Sequence, residues 1–163
     1  MTAGTVKTQG TELFLLNTIS SSEPAIVKMA CPTGVTGLGG AADQIETTCL
    51  DTEEDKEYER GLGNPGQVSV PFNLIPSHAS HQLLFEAKES GEKLQWLVGL
   101  SDGKNPPTVE SGVLTPPAAA NRTSLGFVAY VADVTIDVAN NEIVRGTLVL
   151  QRSGRVTPTW KTA

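Results

Sequence analysis

The stretch Val128-AYVADVTIDVANNEIVRGTLVL-Gln151 decides the fold. From Val128 the even positions Val128, Tyr130, Ala132, Val134, Ile136 and Val138 are apolar, whereas Asp133, Thr135 and Asp137 are polar. Such period-two alternation describes a strand with one face turned to a core. After Asn140 and Asn141 the alternation resumes, with Val144, Leu148 and Leu150 apolar and Arg145, Thr147 and Gln151 opposite them. Directly paired residues share a face, so each pair of numbers must sum to an even value, which excludes a simple two-residue Asn140, Asn141 loop. A three-residue loop of Asn140, Asn141 and Glu142 satisfies the rule. It sets Asp137 across from Arg145, Thr135 across from Thr147 and Val134 across from Leu148.

Outward from this hairpin, other short strands follow the same rule. Val68, Val70, Phe72 and Leu74 alternate with Gln67, Ser69, Pro71 and Asn73, and Leu94, Trp96, Val98 and Leu100 run in phase up to the Ser101, Asp102, Gly103 turn. Pro71 lacks an N–H, which sends its strand to an edge or a bulge. Further strands are expected at Glu12–Asn17, Ala25–Ala30 and Asp43–Leu50, the last with Ile45, Thr47 and Cys49 on one face and Gln44, Glu46 and Thr48 on the other. One helix begins at Ser77, with Ala79, Leu83, Leu84 and Ala87 on its packed side, Phe85 pointing away, and Gly91 ending it. The expected class is therefore mainly β, with one helix packed on a sheet.

Length and composition fit one domain. A chain of 163 residues can bury a sufficient core unaided, and sixteen Gly and ten Pro punctuate it with turns. Residues 1–10 have no apolar period and read as a flexible arm, residues 11–155 as the folded domain and residues 156–163 as a C-terminal tail. Lys104–Arg122 reads as loop, and its Asn121, Arg122, Thr123 triplet as a glycosylation acceptor without meaning outside a secreted protein. Thr52–Asn64, with Glu53, Glu54, Asp55, Lys56 and Glu57, reads as a solvated loop or short helix. This segment and the glycine-rich Thr33–Ala42 are expected to be mobile in a free subunit and to order only against a neighbour.

Several functions are disfavoured by what the sequence lacks. A net charge of −6 argues against clamping phosphates. The cluster Gly34, Gly37, Gly39, Gly40 is not followed by the Lys and Ser or Thr of a phosphate loop. His78 and His81 start the helix, where a cap or surface role fits better than zinc, since no further ligand has diagnostic spacing. Cys31 and Cys49 end apolar strand patterns and read as reduced, buried small hydrophobes. The run Leu13–Leu16 is too brief for a signal-peptide core or a membrane span, so assembly in the cytoplasm, no membrane association, no catalytic residue and no cofactor are expected.

The middle of the chain adds a specific resemblance. Asp43, Gln44, Ile45, Glu46, Thr47, Thr48, Cys49, Leu50 and Asp51, then Tyr58, Gly61, Leu62, Asn64, Pro65 and Gly66, resemble the signature of lambda-like phage tail tube proteins. The order that follows agrees: a strand, the Ile75, Pro76, Ser77 turn, a helix and a long late hairpin. The resemblance covers roughly residues 10–155 and marks no catalytic residue. It implies a β-sandwich or barrel-like virion subunit with one flanking α-helix, which forms homohexameric rings stacked into a tube. Its implied partners are copies of itself, the tape measure protein, tail terminator and tail tip proteins, and genomic DNA passing through the lumen without specific binding. Gln44, Glu46, Thr48, Gln67 and Ser69, followed by Asp133 and Asp137, are the lumen-facing candidates. Gly37, Gly39, Asp51, Tyr58, Arg60 and Asn64 are the ring-contact loop candidates. Because the sequence stops soon after Trp160, no immunoglobulin-like decoration domain is expected. Two other readings compete: the tube of a contractile injection or type VI secretion-like machine, and a carbohydrate-binding β-sandwich, for which two Trp, two Tyr and four Phe are a weak signal.

Overall fold

The computed structural model of the protein describes residues 4–19 and 22–162. In chain order the elements are β1 (Glu12–Asn17), β2 (Ala25–Lys28), β3 (Ala42–Glu46), β4 (Tyr58–Gly63), β5 (Gln67–Asn73), α1 (Ala79–Ser90), β6 (Leu94–Gly99), β7 (Thr108–Glu110), β8 (Val113–Thr115), β9 (Ser124–Asp137), β10 (Arg145–Arg152) and β11 (Thr157–Thr159). The chain is mainly β with one flanking helix, as expected. A main antiparallel sheet runs β2-β1-β6-β9-β10-β5, with β11 added to β9, while β3 pairs only with β4 and β7 only with β8.

One face of the main sheet and α1 enclose the core. Leu13 and Leu15 of β1, Val68, Val70 and Phe72 of β5, Trp96 of β6, Phe127 and Val131 of β9, and Leu148 and Leu150 of β10 meet Leu83, Leu84 and Ala87 of the helix. Burying such side chains contributes roughly 1.5–3 kcal/mol each before entropy is subtracted. Trp96 keeps its indole satisfied by donating to the Ala129 carbonyl at 3.1 Å. On the opposite face, Phe14, Leu16 and Leu97 form a second apolar cluster with Leu114 of β8. The β7–β8 hairpin thus caps one end of that face and explains why β1 is apolar at consecutive positions.

The C-terminal hairpin has the register derived above: Asp137 lies opposite Arg145, Thr135 opposite Thr147 and Val134 opposite Leu148. The strands separate at that first pair, so the connection is longer than the three residues expected, with Asn141 in the left-handed region at φ 59°. The assignment of the even face holds only in part. A bulge leaves Ala132 unpaired, because Val149 faces Asp133 while Leu150 faces Val131. An extra residue reverses which face the alternation addresses. Before the bulge the odd residues Phe127, Ala129 and Val131 are buried, and Val128 and Tyr130 are exposed; after it Val134 is buried, whereas Ile136 and Val138 project beyond the core.

Other local expectations are corrected. Tyr58–Gly63, within the segment read as loop or short helix, is strand β4, and Lys104–Arg122 contains β7 and β8. The strand expected at Asp43–Leu50 stops at Glu46, and that at Ala25–Ala30 stops at Lys28. Cys31 and Cys49 are exposed free thiols because both lie past their strand ends. In α1, Ala79 is exposed, while Ser80 and His81 join Leu83, Leu84 and Ala87 in burial. Phe85 is partly buried against the core. Pro71 does lie on an edge strand. Outside it the Thr33 and Thr36 N–H groups donate to the Pro71 and Ser69 carbonyls at 2.8 and 3.0 Å, and the Ser69 N–H donates back to Thr36. The glycine-rich segment therefore begins as an irregular cover over the sheet edge.

Candidate functional site

Three surfaces follow from this architecture. The first is the polar face of β9, β10 and β5, on the side away from α1. Cross-strand register sets Tyr130, Gln151 and Gln67 in one row, Val149 beside Ser69 in the next, then Thr135, Thr147 and Pro71, and finally Asp137, Arg145 and Asn73. Gln67, Ser69 and Asp137 of the lumen candidates thus share one sheet face. Asp133 is the partner of Val149 in the second row, but beside the bulge its carboxylate meets Lys88 Nζ of the helix at 3.1 Å. Although Asp137 and Arg145 are register partners, no ion pair between them occurs among the described residues.

The second surface is the β3–β4 ribbon, which carries the remaining lumen candidates apart from the main sheet. Gln44 faces Arg60 and Glu46 faces Tyr58 in its ladder. Glu46 also pairs with Lys56 at 3.7 Å. Thr48 lies beyond the strand, where its hydroxyl accepts the Glu57 N–H at 2.9 Å. No residue of the ribbon is fully buried, and Ile45, Tyr58 and Leu62 stand in solvent at 54%, 51% and 84% exposure. A bulge sets Gly61 against Asp43, so closely that a Cβ there would lie 3.1 Å from the Asp43 carbonyl oxygen. Asp51 is in the exposed turn at the tip.

The third is a cleft of about 380 Å³ at the base of the ribbon, where Gly39, Gly40, Arg60, Asn64, Arg152 and Arg155 meet. Gly39, Arg60 and Asn64 of the ring-contact candidates come together here. Gly37, at φ 90°, sits against the backbone of Gln67 and Val68, a position that excludes a side chain. Arg152 is 4% exposed, yet its Nε and Nη2 find no hydrogen-bond partner among the described residues.

Sequence reasoning missed the buried polar residues that hold these surfaces in place. His78 is not one of them: exposed, it takes the cap role expected at the helix start, accepting the Ser80 N–H at 3.2 Å. His81 Nδ1 accepts the Ile75 N–H at 3.0 Å, so its Nε2 carries the proton donated to the Ala30 carbonyl at 2.7 Å. Arg122, wholly buried, donates to the carbonyls of Leu100, Asn105, Gly10 and Gly99 and to the Glu12 carboxylate. Burial alone would raise the pKa of Glu12, but Lys28 Nζ at 2.5 Å and the Arg122 guanidinium outweigh it and hold the carboxyl below its usual value. Asp102 is likewise held low: burial opposes ionisation, and the Thr123 hydroxyl and N–H, with the charge of Lys161, outweigh it. Lys161 reaches the same loop, its N–H donating to Thr123 and its ammonium to the Asp102 carbonyl. Both acids sit in structural clasps, and Glu12 also lines a cleft of about 1030 Å³ together with Cys31, His78 and Ser80. Among the described residues no three His, Cys, Asp or Glu side chains gather into a metal-holding group, and no helix is long and apolar enough to cross a membrane.

Comparison with known proteins agrees with this geometry. The family model described as phage tail tube, TTP, lambda-like matches residues 4–162. Structural protein 3 of Pseudomonas phage PAJU2 is 35% identical over 152 residues, covering 91% of this chain and 90% of that one. Among solved structures, a chain of the anti-feeding prophage baseplate, determined with six-fold symmetry, superposes with a TM-score of 0.67 at 11% identity, covering both chains fully. The SPP1 tail tube subunit gives 0.60 at 12% identity, covering 98% of this chain and 81% of that one. At such identities these two likenesses speak for the fold. The sequence matches go further: the chain belongs to the lambda-like phage tail tube family.

Proposed function

We propose that this lambda-like tail tube protein builds the tail of a phage by closing into six-membered rings that stack as the conduit for the genome. The observation that carries the reading is the β3–β4 ribbon, because a two-stranded ribbon that buries no residue is marginal in water on its own. Contact with another copy would cover Ile45, Tyr58 and Leu62 and supply the missing burial. The six-fold symmetry of the anti-feeding prophage baseplate supports the ring number. In the assembled tube the polar face that carries Gln67, Ser69, Thr147 and Gln151 lines the lumen. With a net charge of −6 the subunit favours a passage that a polyanion slides through without adhering. Gln44, Glu46 and Thr48 lie on the ribbon and meet the lumen only where rings join. Gly37, Gly39, Asp51, Tyr58, Arg60 and Asn64 belong to contacts between subunits. The tape measure protein and DNA occupy the lumen in turn, and terminator and tip proteins close the two ends. The phage source of the relative at 35% identity favours a phage tail over a secretion machine with the same fold. Negative-stain microscopy of concentrated protein tests the reading: rings and tubes are expected. A strictly monomeric species at every concentration, never incorporated into tails, would overturn it.

A further inference from the structure

At the basic cleft the buried Arg152 guanidinium leaves Nε and Nη2 without a hydrogen-bond partner among the described residues. It extends from the end of β10 on the core side of the sheet, beneath the loop of Gly40 and beside Asn64. A Cβ added at Gly40 would lie 3.2 Å from Nη2 and 2.6 Å from the Asn64 carbonyl oxygen, so a side chain there would close the approach to the arginine. Two orphaned donors on a buried cation are costly, since desolvation without a partner removes hydration and returns no hydrogen bond. Arg60 and Arg155 add positive charge at the exposed mouth, and no Asp or Glu lines the cleft. The site is thus built for a planar anion that accepts two parallel N–H donors, as a carboxylate does.

We propose that Arg152 receives a carboxylate from the acidic tip of a second copy of this chain, Glu53, Glu54 or Asp55. This rests on the tube reading above. The tip carries exposed Glu53, Glu54, Asp55 and Glu57 with Lys56 as its only cation, which makes it the charge complement of the cleft. Within one subunit none of these acids is paired with an arginine of the cleft among the described residues. The cleft lies at Asn64, at the base of the ribbon, and the ladder continues outward until the Thr47 N–H meets the Glu57 carbonyl. At roughly 3.3 Å per residue, seven residues of strand separate Asn64, beside the buried arginine, from the strand end by about 20 Å. Tip into cleft is therefore a head-to-tail contact between different surfaces, the kind that propagates rings or filaments. A DNA phosphate would also suit three arginines, but a phosphate held this tightly would impede a genome that has to slide.

Two variants test the contact from its two sides, with rings and tubes counted by microscopy and the assembly threshold measured by sedimentation. Neutralising the tip as Glu53→Gln, Glu54→Gln, Asp55→Asn alters only exposed side chains and should raise the threshold at least tenfold. Arg152→Gln, its fold checked by thermal melting of the monomer, should raise it similarly, and the combined variant should be no worse than either. In addition, Arg155→Lys places an amine at the mouth. Carbodiimide should then join that lysine to a tip carboxylate in tubes and not in monomers. Unchanged assembly of the tip variant, or a cross-link to other acids only, would overturn the contact while leaving the tube reading intact. Wild-type protein that forms no ring would overturn both. If a short DNA duplex binds the wild-type monomer, and Arg152→Gln abolishes that binding with assembly unaffected, the cleft serves phosphate and the proposal fails.

Discussion

Arg122 Nη2 lies 3.0 Å from Glu12 Oε1, joining residues 110 apart in the sequence. The same guanidinium holds the Leu100, Asn105, Gly10 and Gly99 carbonyls, so one side chain ties β1, the end of β6 and the following loop together. Removing one partner from a buried charged network leaves several groups unsatisfied, at a cost of about 3–5 kcal/mol. Arg122→Ala should lose that much in denaturant unfolding. Arg122→Lys should recover little, because an ammonium cannot reproduce the planar fork. A loss below about 1 kcal/mol for Arg122→Ala would show that loop solvation replaces the network.

Acid should weaken the same corner of the molecule. Glu12 and Asp102 have folded-state pKa values below their usual ones. A depressed carboxyl pKa contributes stability that is fully present above the unfolded value and is lost as pH falls through the folded one. Stability should thus fall on acidification from the ordinary carboxylate range downward, and Asp102→Asn should flatten part of the slope. Unfolding curves from neutral to strongly acid pH check this; an unchanged slope in the variant would remove Asp102 from the account.

Gly146 sits opposite Phe72 across β10 and β5, and a Cβ there would lie 2.5 Å from the ring's Cζ. The phenyl ring fills the space that a side chain would take, and Phe72 also packs on His81 with ring centroids 4.8 Å apart. Gly146→Ala should therefore destabilise by about 1–3 kcal/mol through overpacking. Adding Phe72→Leu should restore part of the loss. Additive losses in the double variant would mean that the clash lies elsewhere.

The lumen assignment can be tested on the sheet itself. Ser69 is half-buried and lies across from Val149, so a lysine there would project from the polar face without entering the core. Ser69→Lys tails should assemble normally, eject DNA more slowly, and recover speed as salt screens the added charge. Unchanged ejection from intact tails would move the lumen to another face.

What the sequence disclosed depended on burial. Strands with one wet and one dry face, such as Gln67–Asn73, show their period directly, and the Asp137, Arg145 register follows from parity alone. The bulge at Ala132 was hidden because both phases from Phe127 to Val131 are apolar, so no polar residue marks the change of face. Strand β4 was hidden for the opposite reason: a ribbon that buries nothing has no pattern to impose. Arg122, Arg152 and His81 were hidden because a polar residue enters a core only when distant groups arrange its surroundings, and those groups are far away in sequence. The family signature supplied what alternation could not, since Asp43–Gly66 contains that same ribbon and the Asn64 side of the cleft.

The ribbon also sets the last prediction. Thr33–Ala42 and Thr52–Asn64 were expected to order only on assembly, and the structure divides each segment into two kinds of backbone. Thr33 and Thr36 donate to β5, and Tyr58–Gly63 is paired with β3, so these amides have partners within one chain. Gly39 has open space around its Cα and Leu50 is fully exposed, and neither the glycine-rich turn nor the acidic tip has a core beneath it. Amide exchange follows local opening, which is frequent wherever few apolar contacts resist it. In the monomer, exchange should be fast at Gly39–Gly40 and Leu50–Asp55, intermediate in β3 and β4, and slow throughout β9 and β10. On tube formation the first two groups should slow by at least tenfold while the hairpin stays unchanged. Equal protection of Leu50–Asp55 in monomer and tube would mean that the tip meets no neighbour, and the ribbon would then need another reason to stand apart from the core.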